Sequence, residues 1–214
     1  MKVIDAISQI LKIEGVNYLS AFPTTPVIEA AAAAGIKPVI CRQERVGVGI
    51  ADGYARTTRG NPPGVFAMQY GPGAENAYAG VATAYADSVP VLFLPLGHPL
   101  KRDRVFPHFS SVDSFKTITK SVEQINEPDR VIDTMRRAFS RLKNGRPGPV
   151  MVEIPSDIAN AELDSNILAA YSSSNPVLSS ANPSDVMASA KLLLEAKNLY
   201  LLIKMYLLQG HFCL

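Results

Sequence analysis

The sequence predicts an α/β fold, a parallel sheet with helices on both faces, followed by a stub of a second domain. Short apolar segments alternate with segments of helical periodicity between residues 3 and 154. The predicted strands are apolar over most of their length, which is typical of parallel strands covered by helices on both faces. With 214 residues, 47% of them hydrophobic, the chain can build one large core without disulfide or metal support.

The first elements are predicted from helical spacing and from glycine stops. A helix is predicted at 3–14 and ends before Gly15. Val3, Ile7 and Leu11 share one face of that helix. The elements predicted next are a strand at 18–22, a loop at 23–26, a helix at 27–34, a strand at 39–41 and a long helix at 44–58.

The later elements continue the same alternation. An apolar stripe of Val131, Met135 and Leu142 predicts a helix that begins near Pro128. The other elements are a strand at 64–69, a turn at 71–73, a helix at 74–86, a strand at 89–94 and a last strand at 149–154. Parallel sheets bind ligands beyond the carboxyl ends of their strands. The loops of interest are therefore those at 23–26, 42–45, 70–76 and 95–113.

A change of composition predicts the domain organisation. The domain is expected to cover 1–164, a linker to cover 165–182, and the truncated start of a second domain to cover 183–214. Serine, asparagine and proline are frequent in the second half of the linker. The last part contains a helical pattern and then an apolar, strand-like stretch. One helix and one strand cannot bury themselves, so this part is expected to be incomplete.

Composition and motifs exclude several classes of function. Lys and Arg number 21 against 19 Asp and Glu, which is unlike a polybasic nucleic-acid binder. The two cysteines, Cys41 and Cys213, are too few for a disulfide scaffold or a CxxC zinc site, and HExxH and GxSxG are missing. The longest apolar run, 199–208, has about half the roughly 20 residues of a membrane span, and no signal peptide begins the sequence. The sequence therefore predicts a cytoplasmic protein with no metal, nucleic-acid or membrane site of its own.

Glu44 stands between a predicted strand end and a predicted helix start. One interpretation is that Glu44 complements the helix dipole, because acidic residues are common in the first turn of a helix. The alternative is a carboxylate at the ligand-binding edge of the sheet. The same helix contains Gly47, Gly49 and Gly53, each costing about 1 kcal/mol of helix stability, which close approach of another backbone or subunit could offset. Gly47-x-Gly49 does not fit a dinucleotide motif, because the third glycine would fall at Asp52.

Two further places carry candidate chemistry. Gly71-Pro72-Gly73 follows a strand and opens a helix, where free amide groups could hold an anion or form a plain turn. His98 and His108 lie in the long segment after the strand at 89–94. A loop histidine is more often solvated than catalytic, so these two remain candidates.

Three motifs in series resemble those of the thiamine-diphosphate-dependent enzymes, and most closely the acetolactate synthase class. The run RQERVGVGIADGYAR at 42–56 is similar to the glutamate-bearing helix of that family. GPGAEN with GVATAYADSVPV, and then GRPGPVMVEIP at 145–155, follow in family order. The resemblance covers about 3–160 and implies the N-terminal, pyrimidine-binding domain of the thiamine-diphosphate-binding fold. Residues 183–198 resemble the start of the family's central domain.

The resemblance implies a catalytic role for Glu44. The equivalent glutamate hydrogen-bonds the aminopyrimidine ring of thiamine diphosphate and favours the imino tautomer that removes the thiazolium proton. The implied chemistry is decarboxylation of a 2-keto acid followed by carboligation. Arg42 and Arg45 would oppose this role if they pointed inward, so both are expected to point outward. The residues implied to contact the cofactor are Pro23, Thr24, Glu44, Gly71, Gly73 and Asn76.

Some positions differ from the family's pattern. Phe22-Pro23-Thr24-Thr25-Pro26 occupies the place of a Tyr-Pro-Gly-Gly turn. His98 stands where the family often has glutamine, and Phe106-Pro107-His108 stands in the place of Phe-Gln-Glu. His98, Phe106 and His108 are therefore the candidates for the substrate-facing region.

Family members continue through a central and a C-terminal domain, and the last carries a Gly-Asp-Gly…Asn motif for Mg²⁺ and the diphosphate. That motif does not occur in this sequence, so Mg²⁺ is expected to be held by an absent or partner domain. The resemblance implies a homodimer, or pairing with a full-length relative, and allows for FAD. The chain alone is expected to be inactive. The alternative is a non-catalytic α/β module that pairs with, or regulates, a full-length relative.

Overall fold

The fold is built on one six-stranded sheet. A computed structural model of the chain describes residues 1–23, 26–198 and 200. The strands are β1 (Tyr18–Ala21), β2 (Lys37–Ile40), β3 (Gly64–Met68), β4 (Val91–Gly97), β5 (Ser121–Gln124) and β6 (Val150–Pro155). Their order is β2-β1-β3-β4-β6-β5, and every neighbouring pair is parallel. The predicted parallel α/β fold is confirmed.

Helices cover both faces of the sheet. They are α1 (Val3–Ile13), α2 (Val27–Ala33), α3 (Glu44–Thr57), α4 (Pro72–Ala86), α5 (Ser111–Phe115), α6 (Val131–Lys143), α7 (Ser156–Ala159) and α8 (Pro183–Glu195). Helices α1, α2 and α6 pack on one face, against side chains such as Val65 and Leu92. Helices α3, α4 and α5 pack on the other, against Phe66 and Phe93. Successive strand residues thus enter opposite cores, as the pleat of a strand requires.

The sequence pattern missed β5 and α5. Strand β5 is an edge strand that pairs only with β6, and each of its four residues is half-buried. An edge strand needs no continuous apolar run, so Ser121-Val122-Glu123-Gln124 gave no strand signal. Strand β4 also runs three residues beyond the predicted end at 94, because it stays paired with β6 up to Gly97. The segment 95–113 is therefore partly strand and partly helix.

Helix α3 approaches the sheet very closely at one glycine. A Cβ atom on Gly47 would lie 2.2 Å from Phe66 Cε2 and 2.8 Å from Cys41 Sγ. The Ser20 hydroxyl of β1 also donates a hydrogen bond to the Gly47 carbonyl at 2.7 Å. Among the described residues, and apart from the neighbouring backbone of α3, no atom lies within 4 Å of a Cβ placed on Gly49 or Gly53. One of the three helical glycines therefore serves packing inside the domain, and the other two lie on the outer face.

The segment after residue 164 is attached to the domain through Glu14. The Tyr171 hydroxyl donates to Glu14 Oε1 at 2.6 Å, and the Ser173 hydroxyl donates to Oε2 at 2.8 Å. Lys143 Nζ lies 2.5 Å from Glu14 Oε2. Burial, and then the contact with Glu14, raise the pKa of Tyr171 above its ordinary range. The first part of the predicted linker thus packs on the domain, and the boundary at 164 stays a prediction.

Helix α8 contains no buried residue. Several of its apolar side chains are exposed: Val186, Met187, Leu192, Leu193 and Leu194. Apart from Tyr200, the strand-like stretch predicted at 199–214 lies outside the described residues. Within the described part of the chain, no helix is both long and apolar enough to cross a membrane.

Candidate functional site

The carboxyl ends of the central strands bring the starts of α3 and α4 together. Glu44 is the first residue of α3 and follows β2 after a short loop. It is only 6% exposed. Helix α4 begins at Pro72, just beyond β3. Because β1 lies between β2 and β3, the two helix starts meet at one edge of the sheet. Glu44 therefore occupies the ligand-binding edge that the strand order predicts.

The Glu44 carboxylate is held on one side and open on the other. Asn76, in the second turn of α4, donates a hydrogen bond from Nδ2 to Glu44 Oε2 at 2.8 Å. A Cβ atom on Gly73 would lie 2.9 Å from Glu44 Oε1, so only glycine leaves this oxygen its place. None of the described residues donates a hydrogen bond to Oε1. This oxygen can accept a hydrogen bond from a ligand.

Gly71 makes the turn from β3 into α4. Its φ of 57° and ψ of −119° lie in a region that side-chain-bearing residues rarely adopt. Pro23 lies exposed beyond β1, and Thr24 lies outside the described residues. Arg42 and Arg45 are both exposed, as expected, and neither forms an ion pair with Glu44 in the described part of the structure.

A polar cavity of about 190 Å³ lies beyond β4 and β6. His98 and His108 line it with ring centroids 5.3 Å apart, and Tyr70 lies 4.4 Å from the His98 ring. Tyr70 directly precedes Gly71, so the cavity adjoins the Glu44 site. Phe106 does not line this cavity. It is 92% exposed and lies at the edge of a shallower depression nearby. The structure thus brings two of the three substrate-region candidates together.

Glu153 also lines the cavity, and the sequence pattern did not single it out. Gln124 Nε2 of β5 donates to Glu153 Oε1 at 2.6 Å. Burial raises the pKa of the Glu153 carboxyl group above its ordinary value, and the hydrogen bond from Gln124 offsets this only in part. The sequence feature that could have identified Glu153 is an acidic residue among the five apolar residues of strand β6, because an acid is rarely buried in such a strand without a specific role.

The two histidines differ in their contacts. Burial, then the neighbouring His108 and Arg102, lower the pKa of His98. His108 Nε2 lies 3.5 Å from Asp103 Oδ1. Its other ring nitrogen, Nδ1, is buried and has no hydrogen-bond partner among the described residues. The same residues contain no group of three or more His, Cys, Asp or Glu side chains placed to hold a metal ion.

Comparison with known proteins assigns the family. Residues 1–123 match the family model described as thiamine pyrophosphate enzyme, N-terminal TPP binding domain. A probable acetolactate synthase large subunit of Methanocaldococcus jannaschii is 36% identical over 169 residues, which cover 77% of this chain and 28% of that protein. Acetolactate synthase 2, chloroplastic, of Nicotiana tabacum is 34% identical over 160 residues, which cover 72% of this chain and 24% of that protein.

The chain spans about a quarter of the length of these relatives, as the 28% and 24% coverage shows. The matched part holds Glu44, Gly71, Gly73 and Asn76, which the fold places at one edge of the sheet. The all-parallel six-stranded sheet with helices on both faces agrees with that match. The chain belongs to the thiamine-diphosphate-dependent enzymes, as an acetolactate synthase-like N-terminal domain.

Proposed function

We propose that this chain supplies the pyrimidine half of a thiamine diphosphate site, in an enzyme that decarboxylates and ligates 2-keto acids. The observation that carries the proposal is the Glu44 carboxylate, buried at the start of α3 with Oε2 held by Asn76 and Oε1 open. A flat ring that offers an N–H group would complete its hydrogen bonding. The residues present therefore fit the aminopyrimidine ring of the cofactor.

Thiamine diphosphate, when bound, would supply a carbon nucleophile for the 2-keto acid and a sink for the electrons left by carbon dioxide. The residues of this chain prepare the site for that chemistry. Glu44 would share a proton with the ring nitrogen of the bound cofactor, at a place where the protein excludes most water. Asn76 fixes the orientation of the carboxylate, and Gly71 and Gly73 keep the turn open beside it.

The remaining roles follow from the same proposal. Pro23 and Thr24 would form the turn on the other side of the ring, and His98, His108 and Phe106 would belong to the substrate side. Mg²⁺, the diphosphate and any FAD would be held by other parts of the enzyme or by a partner chain. A cytoplasmic location stays a prediction.

The chain alone is expected to bind thiamine diphosphate only weakly and to consume no pyruvate. One charge-assisted hydrogen bond contributes about 1.5–3 kcal/mol, whereas a micromolar site needs about 8 kcal/mol after association costs. Titration calorimetry with thiamine diphosphate, in the presence of Mg²⁺, detects binding of micromolar affinity. The NMR signal of the Asn76 side-chain amide measures weak binding, because that amide contacts Glu44. We expect a millimolar titration of the Asn76 signal and no micromolar heat.

Two outcomes of this experiment are decisive. Micromolar binding or steady pyruvate consumption by the purified chain would contradict the expected inactivity. An Asn76 signal that stays unchanged at saturating thiamine diphosphate would contradict the assignment of the half-site. The Asn166 side-chain amide, which lies in the segment after the domain, serves as the internal control.

A second copy of the chain, or a full-length relative, is the proposed partner for the outer face of α3 and α4. The residues of this face have apolar, aromatic or very small side chains, and all of them are exposed. They are Val46, Gly49, Ile50, Gly53, Tyr78, Ala79 and Tyr85. Exposed apolar patches of this kind mark sites of association. A non-catalytic module that pairs with a full-length relative would use the same face, but it would not need Glu44.

Ile50→Lys is expected to weaken self-association of the chain by at least tenfold. A lysine ammonium buried in a contact loses its hydration, whereas the same charge in the separated chain stays in water. Light scattering over a concentration series measures the dissociation constant. Ile13→Lys is the matched control, since Ile13 is equally apolar and exposed at the end of α1. A monodisperse monomer at high micromolar concentration, or equal effects of both variants, would contradict this partner face.

A further inference from the structure

The polar cavity beside the Glu44 site is built around one buried acid. Among the described residues that line it, only Glu153 is buried, with 6% of its surface exposed. Its carboxyl group packs against the backbone of β4, where a Cβ on Gly97 would lie 3.0 Å from Glu153 Cδ and Oε1. Gln124 fixes Oε1 at 2.6 Å. Two strands therefore hold this acid at a defined place at the inner end of the cavity.

The other lining charges largely cancel one another. Asp113 pairs with Lys116 at 2.7 Å. Asp103 lies 3.8 Å from Arg104 and 3.5 Å from His108. The titratable and charged groups that face the cavity are Tyr70 after β3, His98 after β4, Asp103, Arg104 and His108 in the following loop, Asp113 and Lys116 around α5, and Glu153 on β6. Since the rim is nearly balanced, the proton on Glu153 decides which ligands the inner end accepts.

We propose that this cavity, the Glu153 pocket, binds the carboxylate or carbonyl oxygen of a small ligand, with the Glu153 carboxyl group as the recognising hydrogen-bond donor. A neutral carboxylic acid donates through its O–H, and a buried site favours the neutral form. His98 and His108 line the same cavity, so their rings lie beside the proposed ligand.

The size of the pocket limits the ligand. Pockets that bind drug-sized ligands have volumes of about 300–1,000 Å³. A cavity of about 190 Å³ accepts a molecule of only a few heavy atoms. Its lining is mostly polar, so it favours a short oxygen-rich acid over a long aliphatic or aromatic one. That this acid is the 2-keto acid of the reaction rests on the proposed function, whereas the binding itself does not.

The test uses the full chain without thiamine diphosphate or Mg²⁺. The sequence has three histidines, so ¹³C-labelled histidine gives few signals, and those of His98 and His108 report on the pocket. Sodium pyruvate is the probe, and propylammonium chloride is the probe of similar size without an oxygen acceptor. We expect pyruvate to shift the His98 and His108 signals saturably, with no response to propylammonium.

Glu153→Gln separates the hydrogen bond donated to the ligand from the ionisation of the carboxyl group, because the amide of glutamine still donates but carries no titrating proton. The affinity for pyruvate is measured below and above the ionisation midpoint of Glu153, which ¹³C carboxyl titration of the same chain provides. Below the midpoint, Glu153→Gln and the original chain should bind within about threefold of each other. Above it, the variant should bind about tenfold more tightly, because ionised Glu153 repels a carboxylate and has lost its donor.

Glu127→Gln is the matched control, since Glu127 is exposed on the loop after β5, and it should leave the affinity unchanged at both pH values. The proposal is overturned if pyruvate shifts neither histidine, if the Glu153→Gln ratio is the same on both sides of the midpoint, or if Glu153 ionises at the ordinary glutamate value. These outcomes are distinct from a failure of the thiamine site, which is read from Asn76 with a different ligand.

Discussion

Glu44→Gln, in a full-length relative that carries residues 1–164 of this chain, is expected to lower kcat by about 10²–10⁴-fold while the fold stays intact. The amide has the shape of the carboxylate, and its carbonyl oxygen can still accept the hydrogen bond from Asn76, which measures 2.8 Å to the carboxylate. It cannot hold the proton that the pyrimidine nitrogen must share. The loss should therefore fall on the chemical step rather than on binding.

Steady-state kinetics with pyruvate measure kcat and KM for this comparison, and circular dichroism checks the fold. Glu75→Gln is the matched control, because Glu75 is an exposed acid in the first turn of α4 and undergoes the same chemical change. The control should keep kcat within about twofold, since a surface helix-dipole acid contributes only about 0.3–1 kcal/mol to stability. If Glu44→Gln also stays within about threefold, Glu44 serves the helix dipole alone and the proposed function is wrong.

Gly47→Ala and Gly49→Ala are expected to change the free energy of unfolding in opposite directions. A methyl group at 47 would lie 2.2 Å from the Phe66 ring, which is fully buried and cannot move aside. Overpacking of this kind costs about 1–3 kcal/mol, and the severity of the overlap places it at the upper end. A methyl group at 49 meets no atom of the described residues within 4 Å outside the neighbouring backbone of α3, so alanine there should add about 0.5–1 kcal/mol through helix propensity.

Urea unfolding followed by circular dichroism, at several protein concentrations, measures both effects. The concentration series separates folding stability from any self-association through α3. Equal destabilisation by the two substitutions would mean that Gly49 is also in close contact, with a partner chain rather than with the sheet. A Gly47→Ala chain of unchanged stability would contradict the close approach of α3 to β3.

The sequence alone determined the elements whose signal is local. Strands β3 and β6 were found because nearly every residue in them is apolar, which follows from burial on both faces. Helices α3 and α4 were found from the alternation of helical and apolar segments, and the family motifs within them pointed to Glu44, Gly71, Gly73 and Asn76. Strand β5 was missed because an edge strand with half-buried residues carries neither a continuous apolar run nor a strict alternation.

The tertiary structure decided which of these residues meet. Gly47 and Gly49 have the same local signal, and only the distance to Phe66 on β3 distinguishes their roles. Glu153 joins His98 and His108 because β6 lies between β4 and β5, although about 45 residues separate it from the nearer histidine along the chain. Strand order sets such distances, and it results from the packing of the whole core rather than from any local pattern.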